Sequence, residues 1–405
     1  MEYKDVIVVG GGVSGLAFAY HAAAAGRDTL VLEGAPHAGG CIDTRRFGSG
    51  YWFEMGAHTC YNSYGGLIEI IEGCGIADRI LPRGEARKTF ALLRDGVLTT
   101  MGPLSVLLQF DPWELLRSAP LGIFSPKRGQ TTYAWYSRLV GKRNYNAVLG
   151  PFLAAVPSQS ADAFPASGPG SLFKRRPRRR DVARSFTLQG GLGAVIDAVA
   201  ARPGVQLRTG VMAREVRRAG DAYEVATSAG ESFASREVAL AVPPSTAAAL
   251  LRGVHPELSA QLSRVKMASV ETVGVVVPKE KVRLPEAAFL VPLDDLFHSA
   301  VTRDTVPDAG WRAFAFHFKP GHGREEKLAR IAEVLGLARG DLAEVEEKTT
   351  VLPSPVLGHD AVVREIDRLL EGSRLALTGN SFAGLAIEDC VQRSKAEWQR
   401  LARIG

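Results

Sequence analysis

Apolar residues recur along this chain with two periods, and the switches between them mark its elements. Val6-Ile7-Val8-Val9 is a continuous β-branched run, the pattern of a buried strand. Leu16 to Ala25 follows as a helix-forming stretch closed by Gly26, and Thr29-Leu30-Val31-Leu32 is a second buried run. A strand, a helix and a strand in this order predict a βαβ unit and an α/β fold. Further on, Leu67, Ile70, Ile71 and Cys74 repeat at helical spacing within Gly66 to Gly75, so Cys74 reads as a core residue. Arg94-Asp95-Gly96 predicts a hairpin between Thr89–Leu93 and Val97–Thr100. Leu192, Val195, Ile196 and Val199 share one helix face; Val205–Val211, Tyr223–Ala226 and Glu237–Val242 read as strands. Pro243-Pro244 then predicts a crossover into a second domain.

The second half continues the pattern. Ser269 to Val277 is an apolar strand. Trp311 to Lys319 alternates cleanly, with Arg312, Phe314, Phe316 and Phe318 on one face and Ala313, Ala315 and His317 on the other. The phenylalanine face is expected in the core, with the wall of a large flat ligand as the alternative. His317 is expected to be a satisfied or exposed histidine. A helix over Glu325 to Leu337, a last buried strand over Leu375 to Thr378 and a helix carrying Val391, Ser394, Trp398 and Leu401 complete the chain.

Two stretches break the pattern. Leu104 to Phe124 is rich in Leu, Phe and Trp and is interrupted by Pro112 and Pro120. It predicts two short helices belonging to a core, with a bilayer-contacting face as the alternative. Lys174 to Arg180 is a basic run, which reads as a solvated face or as a holder of anionic lipid or a carboxylated substrate.

The loop after the first strand carries the chemistry. Gly10-Gly11-Gly12-Val13-Ser14-Gly15 fits G-x-G-x-x-G, and Glu33 ends the next strand eighteen residues after Gly15. Gly10 permits the tight turn, Gly12 lets the backbone approach a pyrophosphate, and Gly15 allows close helix–strand packing. The helix start at Val13 and Ser14 offers N–H groups to phosphates. Glu33 can accept hydrogen bonds from a ribose. These features predict a dinucleotide site.

The chain has 405 residues, enough for two interleaved domains, and a net charge of +6 from 49 basic and 43 acidic residues. That mild excess, with no recognition module, argues against nucleic acid as a partner. Four cysteines without a C-x-x-C pair argue against a zinc site and against a disulfide scaffold, and no other metal motif is present. No signal peptide and no membrane-spanning run is read, so the expected location is cytoplasmic, with a peripheral position on the inner face of the membrane as the alternative.

Gly39-Gly40-Cys41-Ile42-Asp43-Thr44 after Glu33, then Glu54-Met55-Gly56-Ala57-His58, resemble the flavin amine oxidase and protoporphyrinogen oxidase superfamily. Phe186 to Leu192, Val205 to Val211 and Gly379-Asn380-x-x-x-Gly384-x-x-x-x-Asp389-Cys390 resemble further segments of it, so the likeness runs end to end. It implies FAD, held through Gly10, Gly12, Val13, Ser14, Gly15, Glu33, Gly39, Gly40, Gly56, Ala57, Val211, Gly379, Asn380, Gly384 and Ile387. It also implies a Rossmann-type FAD-binding domain interleaved with an α+β substrate domain that carries a mixed sheet and helices. The expected division is 1–65, 185–243 and 350–405 for the first, and 66–184 and 244–349 for the second, with a helical, possible membrane-contacting part over 100–180. Cys41 stands where the superfamily has an arginine. Thr272 stands where its amine oxidases have a lysine, as porphyrinogen oxidases do without one. The implied substrate is an apolar small molecule, a porphyrinogen-type tetrapyrrole. Arg312 or the basic run is a candidate for its rim and His58 for an active-site contact. Alternatives are an amine oxidase, a carotenoid desaturase or isomerase, a sugar mutase, or a Rab GDP-dissociation-inhibitor-like binding protein.

Overall fold

The computed structural model describes residues 2–47 and 50–404. Five parallel strands form the first sheet, in the order Val205–Arg208, Thr29–Leu32, Val6–Val9, Glu237–Leu240, Leu375–Leu377. The unbroken apolar run of its central strand is explained by burial on both faces. Val6 and Val8 join a core with Leu16, Phe18, Ile71 and Val391. Ile7 and Val9, one residue out of phase, join another with Leu250, Leu258, Ile366 and Val225. Helices Val13–Ala24, Gly65–Gly73, Gly193–Ala200 and Ile387–Leu401 contribute to the first core; Pro244–Leu251, Pro256–Leu262 and His359–Leu369 contribute to the second. The chain after Pro243-Pro244 therefore does not cross at once to the other sheet. It packs two helices on the nucleotide-type sheet and reaches the second sheet only at Met267.

That second sheet has seven strands, ordered Glu344–Pro353, Met267–Pro278, Trp311–Phe318, Phe297–Thr302, Phe289–Pro292, Phe90–Arg94, Val97–Met101. It is mixed, since Phe289–Pro292 runs parallel to Phe90–Arg94 while the other neighbours are antiparallel. The Phe90–Met101 hairpin turns at Asp95 and Gly96, both with positive φ, as a two-residue primed turn requires. Phe314, Phe316 and Phe318 are fully buried against Leu328, Ile331 and Leu335 of helix Arg324–Leu335. They are core, and the alternative of a ligand wall is overturned. Arg312 is 4% exposed, and its guanidinium is held by Asp304 at 2.5 Å, so it is no rim cation.

The expectation of a core role for Leu104 to Phe124 is also corrected. The segment folds as a 3-10 helix, Pro103–Gln109, and an α-helix, Pro112–Ile123, capped by Asp111 accepting from the N–H of Trp113 and Glu114. Phe110 and Leu115 face Val140, Tyr145, Leu153 and Phe164. Leu104, Leu107, Leu108, Trp113, Leu116, Leu121, Ile123 and Phe124 are exposed, Phe124 by 87%. Half of the basic run is paired: Lys174 and Arg176 both hold Asp389, and Arg179 holds Glu72 and Asp181. No helix among the described residues is long and apolar enough to cross a membrane.

Candidate active site

A cavity of about 510 Å³ lies between the two sheets. One side is built by the glycine loop and helix starts. Gly12, Val13, Ser14, Gly40, Gly56, Ala57, Gly379, Asn380 and Ile387 line it. Helix Val13–Ala24 begins at Gly12 with no side-chain cap and no acid in its first turn. Its first N–H groups and the positive end of its dipole are thus left for a ligand. Helix Ile387–Leu401 also starts without a side-chain cap at the same cavity, and the two acids of its first turn are engaged elsewhere: Glu388 accepts from the Gly66 and Leu67 N–H, and Asp389 pairs with Lys174 and Arg176. Two uncapped helix N-termini on one apolar chamber suit a bound anion and a ring that gains negative charge.

The glycines divide by function. A Cβ on Gly15 would lie 1.9 Å from the Gly10 carbonyl oxygen, and one on Gly10, at φ +106°, would lie 2.4 Å from that of Ala241. These two serve the packing of strand on helix. A Cβ on Gly12 would meet nothing closer than 3.7 Å, so its missing side chain keeps the cavity open rather than the fold closed. Gly39 lies in the wall behind, 2.2 Å from the Ile42 carbonyl for a built Cβ. Glu33 spans the loop: its carboxylate accepts from the Gly11 N–H at 2.6 Å and the Ala35 N–H at 2.8 Å. Val211 adjoins it, donating its N–H to the Glu33 carbonyl. Gly384, at φ +145°, makes room for the Lys174–Asp389 contact, since a Cβ there would fall 2.4 Å from the Asp389 carboxylate. Gly10, Gly15, Glu33, Gly39, Val211 and Gly384 thus shape the chamber without lining it.

The opposite side comes from the seven-stranded sheet. His317, Thr272 and Lys348 lie directly across from one another on three adjacent antiparallel strands, which puts their side chains on one face. All three line the cavity, with Val156, Met267, Val270, Val351 and Leu352 as apolar neighbours. Thr272 Oγ1 is 2.9 Å from His317 Nδ1, and His317 Nε2 is 3.2 Å from His58 Nε2. His58 stands behind His317 and borders a second, much smaller cavity. Burial disfavours a charge on either ring. It lowers His317 to about 4, and it holds His58 well below the usual range with help from the neighbouring His317 and Arg83. Lys348 donates to the Gly40 carbonyl and to Asp43, each at 2.7 Å. Cys41 lines the cavity beside it, its thiol pushed up by burial and drawn down in part by Lys348. A cation thus reaches this segment from another strand although position 41 holds none. His317 and Lys348 were missed as site residues. The alternation of Trp311–Phe318 marked His317's face, and no sequence signal marked Lys348.

Residues 13–324 match the model of the flavin containing amine oxidoreductase family. The coproporphyrinogen III oxidase of Propionibacterium freudenreichii subsp. freudenreichii is 22% identical, over 97% of this chain and 90% of that protein. A solved candidate protoporphyrinogen oxidase from Exiguobacterium sp. 255-15 superposes with a TM-score of 0.79 at 20% identity, over 98% of both chains. A triple mutant of putrescine oxidase gives 0.74 at 16% identity, over 100% of this chain and 99% of that one. The open backbone cradle at Gly12 and the two uncapped helix starts fit FAD, the cofactor of this family. The chain belongs to the flavin-containing amine oxidoreductases and is an FAD-dependent oxidase.

Proposed function

We propose that the chain oxidises a porphyrinogen-type tetrapyrrole. The observation that carries this reading is the sheet side of the cavity: Thr272, between His317 and Lys348, stands where a lysine would serve an amine oxidase, and the walls around this row are apolar. End-to-end likeness to a coproporphyrinogen III oxidase supports it. FAD, when bound, accepts hydride from the substrate. Val13, Ser14 and the loop glycines would hold its pyrophosphate, and Glu33 its ribose while tying the loop. Lys348 would place a positive charge near the flavin edge, in place of the arginine absent at position 41. The start of helix Ile387–Leu401 would favour the reduced ring through its dipole. Val156, Met267, Val270, Val351 and Leu352 would seat the flat substrate and exclude water. Anaerobic mixing of the holoenzyme with coproporphyrinogen, protoporphyrinogen and a panel of amines tests it: bleaching by a porphyrinogen supports the reading, and bleaching by amines alone refutes it.

A second part of the reading concerns location. The exposed apolar face of Leu104, Leu108, Trp113, Leu116, Ile123 and Phe124 is flanked by Arg117 and Arg128. That combination suits the interfacial layer of an anionic bilayer and would bring an apolar substrate to the cavity. Sedimentation with anionic vesicles at low and high salt tests it, and binding no greater than to neutral vesicles counts against it.

A further inference from the structure

We propose that Thr272, His317 and His58 form a proton relay leading from the active-site cavity along one face of the sheet to the small cavity beside it. The inference rests on the oxidase reading above but on different atoms. Three features carry it. First, the chain of contacts is continuous: Thr272 Oγ1 to His317 Nδ1 at 2.9 Å, then across that ring to Nε2, then 3.2 Å to His58 Nε2. Both nitrogens of His317 are therefore engaged, which is the arrangement that lets an imidazole take a proton on one side and give one up on the other. Second, the ends open on different spaces. Thr272 and His317 line the large cavity, and His58 lines the small one. The small cavity, at about 20 Å³, has room for one water and is walled by Glu54, Thr187, Thr302 and Arg303. Third, Glu54 provides a place for the proton to arrive. Its burial pushes the carboxyl up to about 7, against hydrogen bonds from the Leu192 N–H and the Thr44 hydroxyl that pull it down.

The chemistry balances. When a C–H/N–H pair is oxidised, the C–H electron pair leaves as hydride to FAD, the N–H electrons enter the new π bond, and one proton is released. Thr272 Oγ1 accepts that proton as its own passes to His317 Nδ1. The proton on His317 Nε2 passes to His58 Nε2, and the His58 Nδ1 proton passes through a water in the small cavity to the Glu54 carboxylate. Neither imidazole need hold a lasting charge, as their burial beside Arg83 demands. Thr272 is the catalytic residue here; His317 and His58 act through it.

The test has two arms, both on holoenzyme. In the first, ¹⁵N-histidine NMR reads the tautomers: His317 and His58 are expected neutral at pH 7.5, each with nitrogen shifts averaged between the two tautomers. His58→Asn is expected to fix His317 in one. Wild-type rings each locked in a single tautomer would overturn the relay. In the second, His317→Asn is expected to slow bleaching by coproporphyrinogen about 100-fold and to abolish its sensitivity to D₂O, with FAD content unchanged. Wild-type rates in that variant would also overturn it. Should no porphyrinogen bleach the flavin, the substrate reading fails and the tautomer spectrum alone decides the relay.

Discussion

Helices Val13–Ala24 and Pro112–Ile123 are both twelve residues long and both mainly apolar, yet their fates differ. The first is buried from Ser14 to Tyr20 and again at Ala22, while in the second Gly122 is the buried residue among those described. Apolar content therefore did not decide burial. Neighbours did: the first helix lies between a parallel sheet and helix Ile387–Leu401, whereas the second has a core on one side and solvent on the other. The buried helix is specified by small residues that permit close approach. The exposed one is specified by a proline start and an aspartate cap, and it leaves Leu116 and Leu121 in solvent.

Substitutions can break this contrast at either end. The largest effect is expected from Gly15→Val. A side chain there drives into the Gly10 carbonyl, so the variant should fail to fold, read as loss of the cooperative thermal transition. Gly12→Val should behave otherwise: it has space in the fold, so the melting profile of the apoprotein should persist while FAD occupancy collapses. Leu16→Ala, 1% exposed, should cost about 2–5 kcal/mol in denaturant unfolding. Were Gly12→Val to unfold as Gly15→Val does, the division of the loop glycines into packing and ligand roles would be wrong.

Sequence alone reached most of the cofactor side and little of the sheet side, for a physical reason. Val6–Val9, the glycine loop and Gly379–Ile387 obey local rules of turn and helix start, so their roles are written in adjacent residues. The row His317–Thr272–Lys348 is made by register between strands, which no local spacing encodes. Strand Glu344–Pro353 hid further because it is an edge strand rich in Glu, Lys and Thr, without an apolar stripe to announce it. Leu104 to Phe124 misled in the opposite sense, since composition cannot say whether an apolar face finds a partner.

Smaller effects sharpen the comparison. Buried His317 titrates near 4 in the native state, against about 6.5 unfolded. The unfolded chain therefore binds more protons between those values, and stability falls as pH drops through them, by roughly 2 kcal/mol at pH 5. His317→Asn should flatten that part of the pH–stability curve. Glu54 works in the opposite direction, because its raised value costs stability as pH rises from 4.5 to 7. The difference between variant and wild type is therefore the quantity to read. The smallest stability effect is expected on the exposed apolar face to either side of that helix: Leu108→Ser and Phe124→Ser should stay within about 0.5 kcal/mol of wild type while lowering vesicle binding. A large loss of stability would mean that this face is core after all.

Stopped-flow mixing of the oxidised holoenzyme with coproporphyrinogen under nitrogen, beside a primary and a secondary amine, bears most directly on the sheet side of the cavity. Rapid bleaching of the flavin band by the porphyrinogen alone is the expected result. Bleaching by an amine, with the band unchanged by any porphyrinogen, would contradict it.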